Sequence, residues 1–393
     1  NLQQMAIINT RSPHFISAAT VGLAYATLDI EIYIGDRDTG YTGATQYSLR
    51  KQIVLTQTKV SFEVSELIRD YLDIQFGGFY FAADEYYTCK WVRKTLTSFD
   101  GNGIQLSQSI TTDLALDGYS YFEEGSNYSY TGKNVLMTNR EVFALDDNIY
   151  RIPVYIGTDI SIAFLRDGEI VGSYTNAGGS ILTTNQVAHI SINGTSPYDS
   201  FRARVARNYR GVFEDNACIS KFTNSLSIGK VDTIHIGNSD GTLDIINVKT
   251  IDECKYEPKK ITFINKFGVL QDMYFFKKMV ERMTSKRESY KANTLTSYNG
   301  YDTSVHTKRD FNITANESMT LSSGFLSESY NEVFKQLMLS EKVWITNLTD
   351  TEEQVLPINI KTSDITYKTS LNDRLVEYTI EFDNSYNVLN DIR

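Results

Sequence analysis

The chain has 393 residues, 41% hydrophobic and 22% charged, values that support a folded core and exclude disorder over most of its length. Its formal net charge of −10 disfavours a generic nucleic-acid binder, because affinity for phosphate needs a basic surface, and its five prolines exclude Pro-rich or collagen-like segments. The three scattered cysteines, Cys89, Cys218 and Cys254, argue against a disulfide scaffold and fit synthesis in a reducing cytosol, and no apolar run is long enough for a transmembrane helix.

The dominant sequence period is two. Met5 opens MAIINTRSP and is a candidate start, with no basic-then-apolar leader pattern. Leu28-Asp29-Ile30-Glu31-Ile32-Tyr33-Ile34 alternates apolar and polar, as a strand with one buried face does. The polar turn Asp36-Arg37-Asp38-Thr39-Gly40 follows. Ser65 is a plausible N-cap for a short helix over Ser65–Leu72, with Leu67, Ile68, Tyr71 and Leu72 on one face. Asp100-Gly101 and Asp240-Gly241 are turn candidates. Asp167-Gly168, between the apolar run Ile160–Leu165 and Glu169-Ile170-Val171, is a hairpin signal. The spacing gives a weak helix over Phe275–Arg287. It gives a stronger one over Ser323–Ser340, where Leu326, Tyr330, Val333, Phe334, Leu337 and Met338 form an apolar stripe. Val376, Tyr378, Ile380 and Phe382 line one face of a late strand. The fold expected is mainly β: two β-sandwich-like domains, 1–148 and 149–256, then a small α+β domain, 257–393, with one amphipathic helix.

Charge is uneven. Lys255–Lys291 holds ten basic and four acidic residues, so it is +6 and the remaining chain −16. Lys259, Lys260, Lys277, Lys278, Arg282, Lys286 and Arg287 are therefore candidates for an electrostatic contact with an acidic neighbour. A solvated, non-functional set of charges accounts for the same count.

Motifs for chemistry are sparse. There are four histidines, no G-x-S-x-G elbow, no phosphate-binding glycine loop and no C-x-x-C. Ser48-x-x-Lys51 has serine/lysine acyl-enzyme spacing but lies among strands. Asp36-x-Asp38-x-Gly40 starts like a calcium loop, yet Tyr47 stands where the bidentate Glu belongs. No cofactor or metal is expected. Two carboxylates suffice for glycoside hydrolysis, so composition leaves a polysaccharide hydrolase open; adjacent acids such as Asp84-Glu85, Glu123-Glu124 and Asp146-Asp147 point to opposite faces of a strand. Tyrosine is the compositional outlier, 26 of them beside 20 Phe and 2 Trp. Tyr86, Tyr87, Tyr119 and Tyr121, set among acids, suit stacking on sugar rings, a protein interface, or simple β-propensity.

The C-terminal third carries a resemblance. Lys260-Ile261-Thr262-Phe263-Ile264-Asn265-Lys266-Phe267-Gly268-Val269 leads to Asp272-Met273-Tyr274-Phe275-Phe276. Ser323-Gly324-Phe325, Leu339-Ser340-Glu341-Lys342-Val343-Trp344, Leu356-Pro357-Ile358, Tyr367–Asp373 and Tyr378-Thr379-Ile380-Glu381-Phe382 follow, and the chain closes on Asn390–Arg393. Over about residues 258–393 this resembles tail- and baseplate-type virion structural proteins of tailed bacteriophages. The Ser12-Pro13 opening and the LDIEIYI segment resemble them more loosely, and Asp383–Leu389 departs from the more apolar segment expected there. The resemblance implies a setting, the virion, assembled in the host cytoplasm, and no catalytic residue. The function expected is a non-enzymatic structural subunit of tail, baseplate or adsorption apparatus, whose partners are copies of itself and other virion proteins. The alternative is a carbohydrate- or receptor-binding module that meets a host surface glycan. No membrane span is expected and nucleic acid is a disfavoured partner.

Overall fold

The computed structural model describes residues 7–33, 40–54, 57–76, 89–128, 135–136, 139–145, eight strands between 159 and 251, and 255–295, 300–348, 353–367 and 375–389. The protein is mainly β.

The first part contains β1 (Ile7–Asn9), β2 (Phe15–Ala18), β3 (Tyr25–Tyr33), β4 (Tyr47–Gln52), β5 (Val60–Glu63), α1 (Ser65–Arg69), β6 (Cys89–Phe99) and β7 (Gln105–Leu116). Five of these strands form one sheet in the order β1-β7-β6-β3-β4, antiparallel except for the β1–β7 pair. Period-two alternation buries Ala26, Leu28, Ile30 and Ile32 of β3 on one face, under the β2–β5 ribbon (Ala18, Val60, Phe62) and Ile68 of α1. The sheet's cover is thus a two-stranded ribbon and one helical turn, where a second full sheet was expected. The Asp100 carboxylate closes the β6–β7 turn by accepting from the Asn102 and Ile104 amides at 2.9 and 2.7 Å. Helix α1 is shorter than its apolar spacing suggests. Ser65 is its first helical residue, not its cap; the Glu63 carboxylate accepts from the Ser65 amide at 2.9 Å instead.

The middle strands are β8 (Val135–Leu136), β9 (Glu141–Leu145), β10 (Asp159–Leu165), β11 (Ser173–Thr175), β12 (Ile181–Thr183), β13 (His189–Asn193), β14 (Arg202–Ala206), β15 (Ile219–Ser225), β16 (Thr233–Asn238) and β17 (Gly241–Ile251). They form two four-stranded sheets, β14-β15-β10-β8 and β13-β16-β17-β9, and the pair β11-β12. β8 and β9 pair with later strands, β10 and β17, so both belong to the middle sheets. The turn expected at Asp240-Gly241 joins β16 to β17, with Asn238 opposite Gly241. The Asp167-Gly168 turn lies outside the described residues.

The third part holds β18 (Lys259–Ile264), β19 (Leu270–Phe275), β20 (Val280–Lys291), β21 (Lys308–Ser322), β22 (Leu326–Ser327), α2 (Tyr330–Met338), β23 (Val343–Leu348), β24 (Glu353–Ile360), β25 (Leu375–Val376) and β26 (Thr379–Asn384). A seven-stranded antiparallel sheet runs β19-β18-β23-β24-β26-β21-β20. Helix α2 lays Tyr330, Val333, Phe334 and Leu337 on one face of it, against Ile261, Phe275, Ile345, Ile380 and Phe382. Phe334 sits 4.4 Å from the Tyr378 ring and 6.3 Å from Phe275, so the stripe read from sequence is the core stripe. The helix begins seven residues later than expected, because Leu326–Ser327 is drawn into a ladder with Leu375–Val376. The helix expected over Phe275–Arg287 is absent; that stretch ends β19 and enters β20. The departing tail segment docks nonetheless, with the Val388 amide 2.9 Å from the Ala315 carbonyl.

Candidate interaction surfaces

Two arrangements bring charged and aromatic side chains together. The first is a junction between the first and third parts, which the chain joins directly although 126 residues of sequence lie between 128 and 255. The β18–β19 turn, Asn265-Lys266-Phe267-Gly268, is fixed by the Asn265 carboxamide, which accepts from the Phe267 and Val269 amides at 3.0 and 3.3 Å. Gly268 holds φ +79°, a left-handed conformation that favours glycine. The turn meets the segment after β7 backbone to backbone: the Tyr119 amide donates to the Lys266 carbonyl at 2.8 Å. A Cβ on Gly268 would stand 2.5 Å from the Gly118 nitrogen, and one on Gly118 would stand 2.8 Å from the Lys266 oxygen. Two glycines thus permit the approach.

Side chains complete the junction. The Tyr121 hydroxyl donates to Glu332 of α2 at 2.6 Å, and the Lys335 and Lys266 ammonium groups lie 3.6 and 4.3 Å from its ring centroid. Lys266 also pairs with Glu124 at 2.5 Å. Arg69 of α1 bridges Asp117 at 3.0 Å and Glu341 beyond α2, and Arg11 reaches the same Glu341 at 3.4 Å. Beside these ions, Ile74 and Phe76 pack with Ile264, Leu270 and Trp344. Burial pushes the Tyr119 phenol up to about 12, and it raises the Tyr121 phenol as well, helped by the Glu332 carboxylate. Burial also raises the Asp117 carboxyl, outweighing Arg69 beside it. Both described tyrosines of the sugar-stacking set therefore sit inside an intramolecular contact: Tyr119 is buried and Tyr121 half-buried. Tyr86 and Tyr87 lie outside the described residues.

The second arrangement is an arm. Strands β20 and β21 pair along their whole length, from Val280–Thr320 to Lys291–Lys308, with a bulge where Asn312 takes φ 49°. Strand β21 is paired with β26 only over Ser318–Ser322. Beyond that, nine residues of β20, Met283–Lys291, and ten of β21, Lys308–Glu317, leave the sheet as a two-stranded ribbon about 30 Å long. Every residue of β20 is exposed. Tyr290 and Phe311 pack edge to face at 5.7 Å on one side of the ribbon. Met283, Leu295 and Tyr301 are 63%, 72% and 68% exposed.

The basic set is split between these places. Lys259 and Lys260 are buried, 8% and 6% exposed; Lys259 pairs with Glu257 at 3.1 Å and Lys260 lies 5.9 Å from the Phe76 ring. Pleating sends these two neighbours to opposite faces of β18, which lies inside the sheet between β19 and β23, so they do not belong to one continuous basic surface. Lys277 is half-buried beside Phe276, whereas Lys278, Arg282, Lys286 and Arg287 are exposed at the root and along the arm. Arg287 pairs with Asp310 across the strands at 3.3 Å.

Ser48 donates to Asp29 on the neighbouring strand at 2.5 Å, and Lys51 donates to the Ser61 carbonyl at 2.9 Å, so the two are engaged separately. No three His, Cys, Asp or Glu side chains among the described residues cluster to hold a metal, and the Asp36–Asp38 turn lies outside them. No helix among them is long and apolar enough to cross a membrane. Sequence reasoning missed Arg11, Arg69, Asp117, Glu332, Lys335 and Glu341, whose contacts join residues 200 or more apart in the chain or lie on unremarkable loops. No protein-family model matches the chain, and no curated protein is significantly similar to it.

Proposed function

We propose that this chain is a structural subunit of a tailed-phage virion, in the tail, baseplate or adsorption apparatus, working by protein–protein contact without turnover. The observation that carries the reading is the arm. An isolated two-stranded ribbon is marginal in water, yet this one carries Tyr290, Phe311, Met283 and Ile313 into solvent on a rigid seven-stranded base. Exposed aromatic and aliphatic groups beside arginines are the composition of a protein contact. The resemblance of residues 258–393 to virion proteins supplies the setting for that contact.

The test is direct. Mass spectrometry of purified phage particles should find the chain at a stoichiometric copy number, and antibody against it should decorate one end of the particle in negative-stain images. Absence from washed particles overturns the reading.

A further inference from the structure

The arm has two unlike sides, and their composition says what it meets. Along β20 the side chains alternate, so Arg282, Lys286, Glu288 and Tyr290 share a face with Phe311 and Arg309, their partners across the ladder past the bulge. That face is an aromatic pair set among three cations. Arg282, Lys286 and Arg309 make no ion pair among the described residues, although cross-strand neighbours such as Arg287 and Asp310 do. The arm with its root residue Arg282, Arg282–Lys291 and Lys308–Glu317, holds six basic and three acidic residues, +3, which leaves −13 for the rest of the chain. One molecule therefore combines a basic projection with an acidic body. Two arms facing each other would set cation against cation; an arm facing the body of another copy sets unlike charges together.

We infer that the Arg282–Lys286–Tyr290–Phe311–Arg309 face of the arm docks on the acidic body of a second copy of this chain, in a head-to-tail contact. A heterologous contact of this kind closes into a ring or extends into a filament. The inference rests on the subunit reading above and adds its partner and its polarity.

Sedimentation velocity on the full chain tests it. The parent should form species larger than a dimer as concentration rises, and these should dissociate when salt goes from about 0.05 to about 0.5 M. The triple reversal Arg282→Glu, Lys286→Glu, Arg309→Glu should weaken association at least tenfold, as should Tyr290→Ser with Phe311→Ser. All five positions lie at the surface, and an unchanged melting curve verifies the fold. A chain whose 286–314 segment is replaced by a short Gly-Ser turn between the paired Ser285 and Ala315 keeps the body, with Ala315 still holding Val388, and loses every residue of the face but Arg282. Mixed with the parent, it should cap assembly by accepting one arm and offering none. Failure of that chain to join the parent overturns head-to-tail docking in favour of arm-to-arm contact. Self-assembly of that chain as far as the parent's overturns it in favour of another surface. A parent that stays monomeric yet is present in particles overturns the self-contact and leaves the virion reading standing, whereas absence from particles overturns that reading itself.

Discussion

At the scale of single residues, the most constrained position is Gly268. Its backbone is left-handed and its α-carbon faces Gly118 across the junction. Gly268→Ala adds conformational strain to an overlap that backbone alone can relieve, and should cost about 2–4 kcal/mol in urea unfolding. Gly101→Ala, with nothing within 4 Å of the added carbon, should stay within about 0.5 kcal/mol. His14 carries the pH dependence of the first part. Burial, and then the Lys94 ammonium, hold its imidazole down to about 4 from 6.5, against opposing pulls from Asp113 and Glu63. The unfolded chain takes up this proton first. The resulting stability is complete above pH 6.5 and is lost as pH falls toward 4, an effect of about 2–3 kcal/mol. Unfolding midpoints measured between pH 7 and 4 should fall for the parent, and His14→Gln should flatten that part of the profile. Sequence gave no warning of either site, because a lone histidine or glycine acquires its neighbours only when distant segments meet.

At the scale of elements, legibility followed burial. The late alternation was readable because Val376, Tyr378, Ile380 and Phe382 are all buried beside Glu377, Thr379 and Glu381, but the single strand expected there is two, β25 paired with β22 and β26 in the seven-stranded sheet. The α2 stripe was readable for the same reason at a period near 3.6. Phe334→Ala should remove a fully buried ring and cost about 3–5 kcal/mol by chemical denaturation, whereas Phe325→Ala, at an exposed position just before the helix, should be nearly neutral. Strand β20 was unreadable because neither face is buried, so no alternation marks it. Phe275, Met279 and Met283 then mimic a helical stripe, and the ladder that makes the segment a strand is supplied by β21, 17 or more residues away. The helix start was misjudged where Ser323, whose hydroxyl accepts from the Tyr378 amide at 3.0 Å, ties the chain to β25 and β26 first.

At the scale of the whole molecule, the first and third parts behave as one body and the middle strands are an insertion into it. Composition suggested three modules in series; backbone contacts at Gly118 and Gly268, the Arg69–Glu341 pair and the Phe76–Trp344 contact connect the outer two. Residues 1–128 and 255–393 made as separate chains should therefore bind each other one to one in gel filtration, and Gly268→Ala in the second fragment should weaken the complex. Such non-local joining leaves no local pattern, which is why the contact between the outer parts could not be read from the sequence. The attachment of the arm has a mechanical side. Strand β21 runs unbroken from the projecting ribbon into the sheet, where Ser318–Thr320 lie between β20 and β26. A pull along the ribbon's axis would load those rungs together, sideways to their hydrogen bonds, instead of opening them one after another. Tension reaching the tip is then borne by the entire seven-stranded sheet, a suitable anchorage for a limb meant to hold on to something.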